Sequence, residues 1–241
     1  MNHLKNILFR SHFGLKLTGR LLQIVCVKVS ESDTALKTWS VSFHRRWEAL
    51  PAELGRRPKP FLLSALLGFY VCAAETVSIY VVLALVFSWL GDVLLMLHGV
   101  KWFAAGGVAF MVSHAFFIVS YFDKINFALI NPVIIVVLGA VFAAAVAFIF
   151  SKLKPHLPKM LFYPMFFYLL VNGTMNCFAL FRMISAPSAA TVITCIGAFL
   201  FFISDSTLFF VRFKKDGRLK THFWVMLTYS IGELLIVSGL I

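Results

Sequence analysis

Acidic side chains are scarce in this chain. Ten Asp and Glu stand against 22 Lys and Arg, and charged residues of both signs make up only 13% of the 241 positions. An average soluble domain carries about 25%, so a water-facing globule is not the expected fold. Cysteine is scarce too. Cys26, Cys72, Cys177 and Cys195 lie far apart, form no C-x-x-C, and three of them fall within apolar runs. That spacing offers neither a disulfide framework nor a zinc knuckle. Small apolar packing residues are what remains. H-E-x-x-H, G-x-S-x-G and a Walker-type loop are missing, and no three metal ligands stand at a recognisable spacing. These gaps argue against a metalloprotease, a serine hydrolase or an ATP-driven machine, and the sequence calls for no metal or cofactor.

What the chain has in abundance is apolar length. Its residues are 61% apolar and its mean hydropathy is +0.90, with the excess in runs too long for a small globule to bury. Seven candidate spans follow residue 59, at about 61–77, 78–97, 102–121, 127–150, 158–181, 188–211 and 221–241. Lipid cannot satisfy open backbone groups, and no period-two barrel pattern is present, so the spans must be helices. The predicted fold is an all-α, polytopic transmembrane bundle occupying residues 59–241. Residues 1–58 form a separate basic segment. Its stretch Ile7–Val29 is either an amphipathic helix on the membrane surface or a poorly ordered tail.

The net charge of +12 would suit a polyanion, but its placement points elsewhere. Of the 22 Lys and Arg, twenty fall on one side of the seven-span topology, and Lys124 and Arg182 fall on the other. That asymmetry is the positive-inside signature, with the N-terminus cytoplasmic. The partners expected are membrane lipids, not nucleic acid. The membrane is the plasma or inner membrane, or the endoplasmic reticulum.

Ionisable groups inside spans cost about 2.5–3.5 kcal/mol each on insertion scales, so they mark sites by default. Glu75 falls at a helix end. Asp92 and Asp205 each follow a small residue (Gly91, Ser204) within bulky apolar surroundings. Both are five or six residues from the cytoplasmic ends of their spans, about 7–9 Å deep at 1.5 Å per residue. They could meet in one site, or each could be a helix-packing aspartate bonded to a neighbouring helix. His114 falls mid-span. Tyr168, Asn172 and Asn176 recur every four residues and share a helix face. Glu233 lies deep in the last span near Tyr229. Each of these could contact a polar headgroup or simply join helices.

Lys59-Pro60 opens the first span. F-S-x-L-G-D-x-x-L follows at 87–95, V-S-H at 112–114, G-A-x-L-F-x-I-S-D-x-x-L at 197–208, and T-Y then L-I at 228–236. In order and spacing these motifs resemble the YhhN family of membrane lysoplasmalogenases. The resemblance implies hydrolysis of the vinyl ether bond of a lysophospholipid substrate to a fatty aldehyde and glycerophospho-ethanolamine or -choline. Asp92 and Asp205 would be catalytic, and His114, Tyr168, Asn172, Tyr229 and Glu233 would surround the substrate. Asp205, beside Ser204 and Ser206, is expected to be the ionised carboxylate and Asp92 the acid. Two departures stand out: the family usually has eight spans, and it commonly has Gln where this chain has Glu233. The competing readings are a proton- or cation-coupled transporter and a lipid-binding membrane protein without turnover.

Overall fold

The computed structural model describes residues 58–213 and 222–241. The surface helix considered for residues 7–29 lies outside them. All described residues belong to one compact unit, Pro58–Ile241. Among them are seven α-helices and no strand: α1 Pro58–Ala73, α2 Ile79–Met96, α3 Val100–Phe122, α4 Pro132–Leu153, α5 Phe162–Ser185, α6 Ala189–Phe213 and α7 His222–Ser238. The seven fall at the seven predicted positions. The five from α2 to α6 are long and apolar enough to cross a membrane, while the apolar helices at either end are shorter. The protein is a multi-pass integral membrane protein.

Local chemistry sets the boundaries, and it moves several from where hydropathy alone put them. α1 stops four residues early, leaving Glu75 exposed in the break before α2. α4 begins at Pro132 rather than Phe127, because proline fits the first helical turn, where its missing N–H costs nothing. Asn131 caps that turn, its Oδ1 accepting from the Val133 N–H at 2.9 Å. A 3-10 turn at Phe127–Leu129 takes up the residues before it. α6 is capped in the same way by Ser188, whose Oγ accepts from the Thr191 N–H at 3.2 Å.

Arg182, placed outside the membrane by the charge count, is instead buried in the last turn of α5. It donates to Thr194 Oγ1 at 3.2 Å and to the Gly239 carbonyl at 3.1 Å, tying α5 to α6 and to the end of α7. The other cation assigned to that side, Lys124, sits in the turn after α3. Burial, and secondly the nearby Arg182 guanidinium, pull its ammonium below the ordinary lysine value.

Two helical hairpins form the tightest packing, α2 on α3 and α6 on α7, and α5 fills the space between α3 and α6. α1 leans on α2 and touches α7, closing a ring from which α4 is excluded. α4 packs mainly on α5. Only 6% of its apolar window is buried against 56% for α5, so α4 is a lipid-facing outrigger and α5 a core helix.

Glycines set the closeness of each hairpin. A Cβ on Gly197 would meet the Gly232 carbonyl oxygen and the Ile236 nitrogen at 2.7 Å, both backbone atoms that cannot rotate aside. A Cβ on Gly91 would meet the Phe110 ring at 2.6 Å. By contrast, a Cβ on Gly139 of α4 meets nothing within 4 Å. Gly197→Ala should therefore destabilise the detergent-solubilised protein by about 1–3 kcal/mol through overpacking. Gly139→Ala should leave the thermal transition unchanged or raise it, because alanine favours the helix. Equal transitions for the two variants would contradict the close approach of α6 and α7.

Candidate active site

Asp92 and Asp205 line the same cavity. Its walls come from α2 (Asp92, Leu95), α3 (Phe103, Gly107, Phe110), α5 (Tyr168), α6 (Ser204, Asp205, Leu208, Phe209) and α7 (Val225, Met226, Tyr229). The two aspartates are four and eight residues from the ends of their helices. The equal spacing expected from the spans therefore does not hold, and α6 simply extends further. Both carboxyls are nonetheless buried on the inner side of the ring.

Each aspartate is held by a tyrosine from another helix. Tyr229 of α7 donates its hydroxyl to Asp92 Oδ2 at 3.0 Å. Tyr168 of α5 donates to Asp205 Oδ2, which also accepts from Asn172 Nδ2 at 2.8 Å. Asn176 supports Asn172 from one turn further along, donating to its backbone carbonyl at 3.0 Å. The stripe at 168, 172 and 176 thus grips one carboxylate with two members and braces the second of them, Asn172, with the third. Tyr163, on the same helix, is exposed instead.

A second rung lies one turn deeper between α2 and α7. Ser88 Oγ donates to Glu233 Oε1 at 3.0 Å and lies 2.8 Å from Ser113 Oγ of α3. Ser88 and Asp92 are four apart on α2, as Tyr229 and Glu233 are on α7, so the two rungs stack on matching faces. His114 is fully buried, its ring edge-on to Phe201 at 4.9 Å and 5.5 Å from the Tyr168 ring. Of the seven residues expected to form the site, Asp92, Asp205, Tyr168 and Tyr229 line the cavity. His114, Asn172 and Glu233 do not line it: Asn172 bonds Asp205 from behind, His114 packs on the Tyr168 ring, and Glu233 bonds Ser88.

The reason given for an ionised Asp205 needs correction. Neither flanking serine solvates it: Ser204 Oγ donates to the Val225 carbonyl and Ser206 Oγ to the Phe202 carbonyl, both at 2.8 Å. The donors come instead from α5. Ser88 and Ser113 were the polar partners that sequence reasoning passed over, although each lies inside a quoted motif. Their four- and one-residue offsets from Asp92 and His114 were the available signal.

Chemically, the arrangement sets two carboxyl groups against a small, mostly apolar hollow with oriented phenols at its wall. The free volume is about 30 Å³, enough for water but not for a lipid headgroup. Leu95, Leu208 and Met226 are the half-buried side chains of its wall.

Tyr168→Phe removes a buried donor to a carboxylate and should lower the unfolding free energy in mixed micelles by about 1–3 kcal/mol. Ser206→Ala, which gives up only a bond within its own helix, should change it by less than about 0.5 kcal/mol. The reverse order would mean that the Tyr168–Asp205 bond is not made.

The sequence model of the YhhN family matches residues 57–240. No curated protein and no solved structure matches the chain.

Proposed function

Because this chain belongs to the YhhN family, we propose that the cavity between Asp92 and Asp205 hydrolyses the vinyl ether bond of single-chain ether phospholipids. The observation that supports this reading is the pair of buried carboxyls from separate helices facing one hollow, each oriented by a tyrosine. The basic end of the bundle, where the cavity lies, faces the cytoplasm by the positive-inside rule.

A vinyl ether is inert to nucleophiles until its β-carbon is protonated. Asp92 delivers that proton, breaking its O–H bond as the new C–H bond forms. The positive charge is then shared between the α-carbon and the ether oxygen. Asp205, whose Oδ2 gathers the Tyr168 and Asn172 donors, serves as the acceptor-only carboxylate. It stabilises the oxocarbenium ion and takes a proton from the water that adds to the α-carbon. The resulting hemiacetal collapses to aldehyde and glycerol hydroxyl as Asp205 returns its proton to the ether oxygen and Asp92 takes the proton of the hemiacetal O–H, which restores both groups. Glycosidases divide work between two carboxyl groups in the same way across a similar cation. The apolar walls formed by Phe103, Phe110 and Phe209 limit water at the cation and accept the alkenyl chain.

The test is free-aldehyde release by the purified protein from a vinyl-ether lysophospholipid, with the matching ester lysolipid as control. Asp92→Asn and Asp205→Asn should each reduce turnover by roughly 10²–10⁴-fold, the usual contribution of a positioned acid or base, while the protein still elutes as a folded species. Undiminished activity in either variant removes that residue from the chemistry. Movement of an intact lipid or ion across liposomes without aldehyde would instead favour a carrier.

A further inference from the structure

We propose that Arg212, lying over the ring of Phe103 in the cavity wall, is the site that captures the phosphate of a single-chain phospholipid. This rests on the hydrolase reading and adds a specificity-determining residue to it.

Arg212 is seven residues beyond Asp205 on α6, two turns along and nearly the same helix face. The separation along the axis is about 10 Å. Leu208 and Phe209, three and four residues after Asp205, line the wall between them, so one face of α6 runs from carboxylate to guanidinium. The guanidinium lies over Phe103 at 5.7 Å from the ring centroid. Phe103 is itself buried, lines the cavity, and is held edge-on by Phe209 and Phe213 at 6.3 and 5.3 Å. Arg212 is exposed and makes no hydrogen bond or ion pair among the described residues.

A cation–π contact uses none of the guanidinium N–H groups as hydrogen-bond donors, and their planar edge matches a phosphate in a two-bond fork. The spacing also suits the ligand. In a glycerophospholipid the sn-1 ether oxygen and the phosphorus are five bonds apart, about 6 Å when extended at ordinary bond lengths. With the ether at the carboxyls, that phosphate falls within the arc swept by a long arginine side chain two turns away. Neither of the two lysines that lie over aromatic rings is beside the cavity wall. Lys154 lies over Phe162 at 5.2 Å and Lys152 over Phe148 at 5.7 Å, both beside the outrigger helix.

Wild-type protein, Arg212→Gln and Arg212→Lys would be compared in nanodiscs. The ligands are a non-cleavable alkyl-ether lysophospholipid and the same alkylglycerol without phosphate. Wild type should bind the phosphate-bearing ligand roughly 10- to 100-fold more tightly, the discrimination a charge-assisted pair of hydrogen bonds provides. In Arg212→Gln that preference should collapse, and Arg212→Lys should restore only part of it, keeping charge without the fork. An unchanged preference in Arg212→Gln overturns the proposal. So does inorganic phosphate displacing the lysophospholipid at comparable concentration, which would make the site one for a free anion. Because the ligand is not cleaved, absence of aldehyde from the vinyl-ether substrate would defeat the hydrolase reading and leave this binding result standing on its own.

Discussion

A carboxyl group cannot be left alone in hydrocarbon. Each intramembrane acid carries a cost of about 2.5–3.5 kcal/mol on insertion scales, and only donors brought from other helices offset it. In this bundle that requirement largely decides what occupies the centre. Asp92 meets Tyr229, Asp205 meets Tyr168 and Asn172, and Glu233 meets Ser88. Every one of these bonds joins two different helices. The polar centre therefore links the ring across its middle, where an apolar filling would pack without specifying a register.

The contrast with the hairpins is instructive. In α2–α3 and α6–α7 the backbones come together over glycine, close enough that a single methyl group at Gly91 or Gly197 would collide with the opposite helix. α2 and α7 instead reach each other mainly through side chains, in the stacked pairs Asp92–Tyr229 and Ser88–Glu233. The hollow lies at this seam, walled by residues from both hairpins and from α5. Aromatic rings from facing helices complete the walls, with Phe110 edge-on to Phe201 at 6.3 Å and to Tyr229 at 6.1 Å. Tight hairpins give rigid walls, and a side-chain seam gives the space between them. An oriented pair of carboxyls needs both.

Much of this architecture could be read along the chain. Long apolar runs separated by charged turns predicted seven helices, and seven stand at those places among the described residues. Errors were confined to ends, where a single local feature outweighs average hydropathy: Pro132 for the start of α4, and the early stop of α1 before Glu75. Arg182 was misplaced because a charge is ordinarily a loop signal. Here the end of α7 supplies an unsatisfied carbonyl that keeps the guanidinium inside.

Hydropathy, charge asymmetry and helical spacing are properties of neighbours in sequence. They were enough to determine the membrane class, the seven helices of the described residues, and the shared face of Tyr168, Asn172 and Asn176. Which helix lies beside which is a property of the folded bundle. Asp92 and Tyr229 are 137 residues apart, and Tyr168 and Asp205 are 37 apart. No local pattern encodes those pairings, nor the fact that Ser204 and Ser206 turn to backbone carbonyls and leave Asp205 to α5. The tertiary structure decided them, because in hydrocarbon the partner of a buried acid is whichever donor packing brings within hydrogen-bond reach.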